Sequence, residues 1–176
     1  MPKIVYYVAC SIDGFIAGKN DDVSNFIFQG EGVDKYRQDL KQFQTVIMGR
    51  RTYEIGYQYG LKPGQPAYQG MEHYIFSDSL QIDDLSNSVH IETRSLDRVK
   101  KIKENSKTDV YLCGGGEFAG WLQKHGLIDQ LKLKLNPIIL GEGIGLFGSY
   151  TTPSKWRLVE QETFNDGLLI LTYDLL

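Results

Sequence analysis

The sequence predicts an α/β domain with a mostly parallel central sheet that ends in an antiparallel pair. Three observations carry this reading. Short, nearly continuous apolar runs rich in β-formers recur along the chain, as expected of strands buried on both faces. Segments of helical period separate them, the strand–helix alternation of a parallel sheet. Near the C-terminus two β-rich runs flank Asn165-Asp166-Gly167, a strong hairpin signal.

Ile4-Val5-Tyr6-Tyr7-Val8-Ala9-Cys10 is the first buried strand. Ser11-Ile12-Asp13-Gly14 breaks it, and a loop through Gly18-Lys19-Asn20-Asp21-Asp22 follows. From Gly32 the period changes: Val33, Tyr36, Leu40 and Phe43 recur at helical spacing. Thr45-Val46-Ile47-Met48 reads as the second buried strand, residues 51–57 as a short helix, and Lys62-Pro63-Gly64-Gln65-Pro66 as a loop. His73-Tyr74-Ile75-Phe76-Ser77 and Val89-His90-Ile91 are further strands. Leu96, Val99 and Ile102 share one face of a helix that runs to Asn105. Asp109-Val110-Tyr111-Leu112-Cys113 is a strand, and residues 116–124 form a helix with Phe118, Trp121 and Leu122 on its inner face. Gln130-Leu131-Lys132-Leu133-Lys134-Leu135 alternates cleanly, the pattern of a half-exposed strand. Pro137 and the glycine-rich residues 141–148 interrupt it. Trp156-Arg157-Leu158-Val159-Glu160 and Leu168-Leu169-Ile170-Leu171-Thr172-Tyr173 complete the hairpin. No repeat or linker divides the chain, so residues 1–176 read as one domain.

Composition narrows the function. The chain has 176 residues, 41% hydrophobic and 23% charged, with a formal net charge of −3. That is ordinary for a folded domain, and a mildly acidic surface argues against general nucleic-acid or anionic-membrane binding. No apolar run approaches the roughly 20 residues of a membrane helix, and the N-terminus lacks a signal-peptide layout; a cytoplasmic location is the expectation. Cys10 and Cys113 sit in no CxxC pair and near no histidine at ligand spacing, so no metal site is expected. Both read as reduced, buried thiols.

Three strand ends carry residues suited to a ligand, in the region where open α/β sheets bind one. Cys113-Gly114-Gly115-Gly116-Glu117-Phe118 puts a glycine turn at a helix start, which suits a diphosphate. A tight turn with close helix packing accounts for the same glycines. Gly49-Arg50-Arg51-Thr52 places two arginines at a helix N-terminus, against the helix dipole. They make sense around an anion, since Arg matches phosphate with paired donors. A solvated surface pair is the plainer alternative. Ser77 ends a strand and can donate to a phosphate or ribose oxygen, although strand-end serines commonly serve turns. Together the clusters suit NADPH: one binds the diphosphate, the other the extra 2′-phosphate, whereas an acid at the ribose would have indicated NADH.

With these motifs the chain resembles the dihydrofolate reductase-like superfamily, and within it the reductase branch of riboflavin biosynthesis, typified by the C-terminal domain of RibD. The residues that carry the likeness are Ala9-Cys10-Ser11-Ile12-Asp13-Gly14-Phe15-Ile16-Ala17, the run from Val46 to Thr52, the run from Tyr111 to Gly116, and Leu127-Ile128-Asp129-Gln130-Leu131 leading to Asn136-Pro137-Ile138-Ile139-Leu140-Gly141-Glu142-Gly143. They come in family order over nearly the whole chain. The resemblance implies a three-layer fold with an eight-stranded sheet, and an NADPH-dependent reductase of a small heterocyclic substrate. The activity it most suggests is that of 5-amino-6-(5-phosphoribosylamino)uracil reductase. Dihydrofolate reduction and a non-catalytic NADPH-binding module are the alternatives; thiol chemistry at Cys113, ahead of a helix N-terminus that would lower its pKa, is another.

By position, Ala9 and Ile16 would meet the nicotinamide carboxamide through their backbones. Arg50, Arg51, Thr52 and Ser77 would surround the 2′-phosphate, and Gly114, Gly115 and Gly116 would hold the diphosphate. Gly49, Cys113, Glu117 and Phe118 flank these turns and complete the expected cofactor set. The acid that binds the pteridine in dihydrofolate reductases falls near Val33 here, with Glu31 and Asp34 as its nearest acids. Asp13, Glu31 and Asp34 are therefore the candidate proton donors, beside water. Asp13 also reads as a turn residue, and Glu31 and Asp34 as helix N-terminal acids. Residues 19–22 and 141–148 are candidate lids. The resemblance and the alternating Leu131, Leu133 and Leu135 raise the expectation of a homodimer; an ordinary core explains the leucines equally well.

Overall fold

A computed structural model describes residues 1–149 and 152–176. In chain order the elements are β1 (Ile4–Cys10), β2 (Phe15–Ala17), α1 (Glu31–Leu40), β3 (Thr45–Gly49), α2 (Arg50–Ile55), β4 (Glu72–Phe76) and β5 (Val89–Glu92), then α3 (Leu96–Asn105), β6 (Val110–Gly114), α4 (Gly116–Lys124), β7 (Gln130–Leu135), β8 (Ile144–Gly145), β9 (Trp156–Thr163) and β10 (Leu169–Leu175). Eight strands form one sheet in the order β5-β4-β3-β6-β1-β7-β10-β9. The first six run parallel. β10 pairs antiparallel with β7, and β9 antiparallel with β10.

Sequence pattern explains this order. β1, β3 and β6 have the most continuous apolar runs, and they occupy the middle, where both faces are covered. Period-2 geometry sends Ile4 and Tyr6 to one face, where they meet Val99 and Ile102 of α3 and Phe118 and Leu122 of α4. Val5 and Tyr7 go to the other, against Val33 and Leu40 of α1 and Tyr53 of α2. Each fully buried side chain of this kind contributes about 1.5–3 kcal/mol, so a pair of helices on each face completes a three-layer domain. Ser95 caps α3 by accepting from the Arg98 amide, which explains why that helix starts where it does.

Two features depart from the pattern-based reading. β7 is not half-exposed: it lies inside the sheet between β1 and β10. Leu131 is buried in the core and Leu133 packs against it, while Lys132 and Lys134 turn toward α1 and lie over the rings of Tyr7 and Tyr36. Alternation shows that two faces differ, not that one meets water; a lysine stem on an aromatic ring makes a covered polar face. Two of the three leucines that raised the homodimer expectation, Leu131 and Leu133, are thus used in the core. The edge beyond them is β9, whose outward residues include the half-exposed Leu158 and Val159. The second departure is a small antiparallel sheet of β2 and β8, too short to show a period. It pins the glycine-rich stretch, with Leu146 N donating to Gly14 O at 3.0 Å and the Tyr6 hydroxyl to Leu146 O at 2.9 Å.

Candidate functional site

The carboxyl ends of β4, β3, β6 and β1 lie side by side, and a cleft of about 690 Å³ opens over them. Its size falls within the 300–1,000 Å³ or so typical of small-molecule sites. β3 delivers Gly49, and α2 begins at once with Arg50, Arg51 and Thr52; all four line the cleft. Ser77 enters from the end of β4. From β6 and the start of α4 come Cys113, Gly115, Gly116, Glu117 and Phe118, and Ile16 of β2 closes the side. Of the expected cofactor residues, Ala9 and Gly114 sit at the adjacent strand ends outside this lining.

The glycines make the cleft's floor narrow. Gly114 has φ of 125°, a conformation costly for any other residue. A Cβ on Gly116 would run into the carbonyl oxygen of Gly145 and lie 2.9 Å from the Gly148 amide nitrogen. One on Gly115 would lie 2.9 Å from Thr52 Oγ1. The Glu117 carboxylate accepts from the Ser149 amide at 2.8 Å and from its hydroxyl, and so ties the 141–149 loop to the start of α4. The backbone therefore approaches this wall closely, and α4 presents its free N–H groups there.

The two arginines do not share one anion in the protein alone; each has its own carboxylate. Arg50 Nε donates to both oxygens of Glu54 at 3.1 Å, and its Nη1 donates to Ser79 Oγ at 2.8 Å. Arg51 Nη2 donates to Asp21 Oδ2 at 2.9 Å. Asp21 and its neighbour Asn20 have positive φ, 62° and 56°. Asp21 Oδ1 is buried without a hydrogen-bond donor. The Ser77 oxygen accepts from the amides of Ser79 and Leu80 at 3.1 and 2.9 Å, which leaves its proton for an outside acceptor. Asp21, Glu54, Ser79 and Arg94, all lining the cleft, were not singled out from sequence. Asp21 was noted only within a candidate lid, and no spacing announces that a loop will fold back on α2.

The three candidate proton donors lie outside the cleft lining. Asp13 is a tether: its carboxylate accepts from Ser11 Oγ and from the amides of Leu140 and Gly141 at 3.1 and 2.7 Å. These bonds, the Ser11 one foremost, hold its pKa below the usual carboxylate range, which favours the ionised form. Glu31 and Asp34 are exposed in the first turn of α1, and Asp34 pairs with Arg37 at 3.3 Å. Val33, between them, is buried in the core. The buried acid of α1 is Asp39, which accepts from Lys35, from Lys132 at 2.7 Å and from the Tyr7 hydroxyl at 3.1 Å.

Cys113 lines the cleft, yet burial pushes its thiol pKa up, and its Sγ meets the Tyr68 hydroxyl at 3.3 Å. Burial outweighs the hydrogen bonds of Tyr68 and Tyr111, which act to lower it, and the thiol stays protonated and poorly nucleophilic. Burial raises Cys10 as well, to about 12. Among the described residues no cluster of three His, Cys, Asp or Glu side chains suits a metal, and no helix is long and apolar enough to cross a membrane.

Residues 2–170 match the family model of the RibD C-terminal domain. Two Bacillus subtilis (strain 168) proteins, both named as uncharacterized, are similar over nearly their full length. YyaP is 28% identical over 97% of this chain and 94% of its own, and YwjB 31% identical over 94% of each. Among solved structures, a putative riboflavin biosynthesis protein from Shewanella sp. PV-4 superposes with a TM-score of 0.83 at 21% identity, covering 100% of this chain and 99% of that one. Dihydrofolate reductase from Enterococcus faecalis, solved with NADP(H), has a TM-score of 0.67 at 15% identity, covering 98% and 96%. These likenesses establish a dihydrofolate reductase-like fold.

Proposed function

Since this chain belongs to the RibD C-terminal domain family, we propose that it is an NADPH-dependent reductase of a small planar heterocycle, of the ribosylamino-pyrimidine kind handled in riboflavin biosynthesis. One observation carries the reading. The arginine turn, the strand-end serine and the glycine turn, separate in sequence, line a single cleft of about 690 Å³.

The residues present fit the cofactor. Gly115 and Gly116 keep the cleft wall at the start of α4 free of side chains, which suits a diphosphate laid against it. Arg50, Arg51, Thr52 and Ser77 supply donors for the 2′-phosphate. When bound, the dihydronicotinamide supplies a hydride. The chain contributes orientation and exclusion of water. Ala9 at the end of β1 and Ile16 on β2 would meet the carboxamide through their backbones, and Asp13 holds the neighbouring 140–141 segment. A ligand phosphate would compete with Glu54 and Asp21 for the arginines, so those pairs are the groups that rearrange on binding.

The test is isothermal titration with NADPH and NADH in parallel, then a substrate screen that begins with aminopyrimidines and dihydrofolate. Micromolar NADPH binding, preferred over NADH and lost in an Arg50→Ala/Arg51→Ala double variant, is the expected outcome. Absence of binding for both cofactors would overturn the reading.

A further inference from the structure

At the carboxyl end of β7 the fold leaves one buried lysine without an acid. Lys134 is 7% exposed. It pairs in register with Ala9 of β1 and with Ile170 of β10. Its Nζ lies 4.8 Å from the centre of the Tyr36 ring. Among the described residues no carboxylate comes within 4.0 Å of that nitrogen, and no hydrogen bond holds it; the bond from Asn136 Nδ2 goes to the Lys134 carbonyl.

Lys132, two residues earlier on the same face, provides the comparison. Its Nζ lies over the Tyr7 ring at 4.9 Å and also reaches Asp39 at 2.7 Å, and Asp39 is bound again by Lys35. The fold therefore neutralises one lysine and leaves the next bare. The groups around Lys134 offer no remedy. α1 contributes Tyr36 and the repelling Arg37, β1 contributes Ala9, β10 contributes Ile170, and β7 itself contributes Lys132 and Asn136. Burial, and then Arg37, lower the pKa of Lys134. Its nitrogen is not among the fully buried polar atoms, so the stem is covered while the ammonium keeps an opening; a methionine would pack the same stem without the charge. Apart from the Tyr36 ring, no group in the described residues answers the charge at this position.

Location supplies the reason. In the reading above, Ala9 marks the nicotinamide, so its register partner stands at the substrate side of the site. Beside it stands the partly buried Tyr36, internally satisfied: its hydroxyl bonds to that of the core residue Tyr111 at 2.8 Å, and the core residue Tyr7 stands edge-on to it. We propose that Lys134 is a specificity-determining residue that pairs with an acidic oxygen carried on the substrate's planar ring, such as a carboxylate or an enolate-type oxygen. The Tyr36 ring meets the substrate's ring, and the ammonium supplies its counter-charge. This inference takes its location from the reductase reading; its chemistry comes from the unpaired amine.

The probes are orotate, a pyrimidine carboxylate, and uracil, its neutral counterpart. Each is titrated calorimetrically into wild type, Lys134→Met and Lys134→Arg, with and without saturating NADPH. Wild type should prefer orotate by about tenfold or more, the scale of one charge-assisted hydrogen bond. In Lys134→Met the preference should disappear, and in Lys134→Arg it should survive in part. In ¹⁵N-lysine-labelled protein, the ammonium signal assigned by its loss in Lys134→Arg should titrate at higher pH when orotate is bound. Lys134→Met should melt no lower than wild type, which separates lost recognition from a damaged fold. Equal preference in wild type and Lys134→Met would overturn the proposal. So would a Lys134 signal that neither probe shifts, which decides the matter even if the variant fails to fold. NADPH binding without discrimination by Lys134 sinks this proposal alone. Discrimination by Lys134 without NADPH binding sinks the reductase reading instead.

Discussion

Asp39 is the most consequential single charge in the core, and replacing it with asparagine tests how α1 is held on the sheet. Its side chain is 6% exposed and is bound by Lys35, Lys132 and Tyr7. Lys132 is itself largely covered, with a side chain 15% exposed. Removing one partner of a buried pair costs about 3–5 kcal/mol, because the remaining charge is stranded. Two features reduce this. Lys35 is about one-third exposed and keeps Glu162 at 3.4 Å, and the asparagine carbonyl still accepts one hydrogen bond. A net loss of about 3 kcal/mol remains. For a domain of this size that corresponds to a melting temperature lower by about 6–12 °C. Calorimetry at neutral pH measures it, and the double variant Asp39→Asn/Lys132→Met should recover part of the loss.

The pH dependence has a definite sign. Burial acts to raise the pKa of Asp39, but hydrogen bonds from Lys132 and Lys35 outweigh it, and the net shift is downward. Its stabilisation is therefore fully present above the unfolded value of about 3.9 and is lost as pH falls through the lower folded value. The gap between wild type and Asp39→Asn should narrow below about pH 4. A variant that melts within about 2 °C of wild type at pH 7 would refute the assignment of this network as the clamp on α1.

Two further predictions concern the cleft. Gly116→Ala forces a Cβ against the Gly145 carbonyl and the Gly148 amide, both backbone, so the 141–149 loop must move; NADPH affinity should fall at least about tenfold while the far-ultraviolet spectrum is retained, and unchanged affinity would show that this close approach is not part of the cofactor wall. Cys113→Ala should leave turnover within about twofold of wild type, and both thiols should resist labelling at pH 8 until the protein unfolds, because burial raises both pKa values; rapid native labelling of Cys113, or loss of activity in the variant, would restore a thiol mechanism.

Much of this protein is legible along the chain because it is written in local periods and turns. The predicted bounds of α4 and β7 and the predicted end of α3 coincide with the structure. The turn at Asn165-Asp166-Gly167 closes the hairpin, with Gly167 at φ of 84°. The glycine and arginine clusters needed only the rule that ligands gather at strand ends. The structure then supplied what no local pattern holds. β2 and β8 are too short to carry a period, and they pair across more than a hundred residues. Asp21 reaches Arg51 because a loop folds back over α2. Asp13 ties two loops through three hydrogen bonds, a role its neighbours in sequence do not reveal.

β7 shows the division most clearly. Its alternation announced a leucine face and a lysine face, because side chains in a strand point to opposite sides. Whether the lysine face met water was undetermined, since that depends on what packs above it. The tertiary structure set the rings of Tyr7 and Tyr36 over the two lysines and placed Asp39 beside Lys132 but no acid beside Lys134. Fold class and the placing of the glycine and arginine turns at strand ends follow from local chemistry. Which charges are compensated and which stand bare is a property of three-dimensional neighbours, because electrostatic energy in a covered site depends on the groups within a few ångströms in space and not on their separation in sequence.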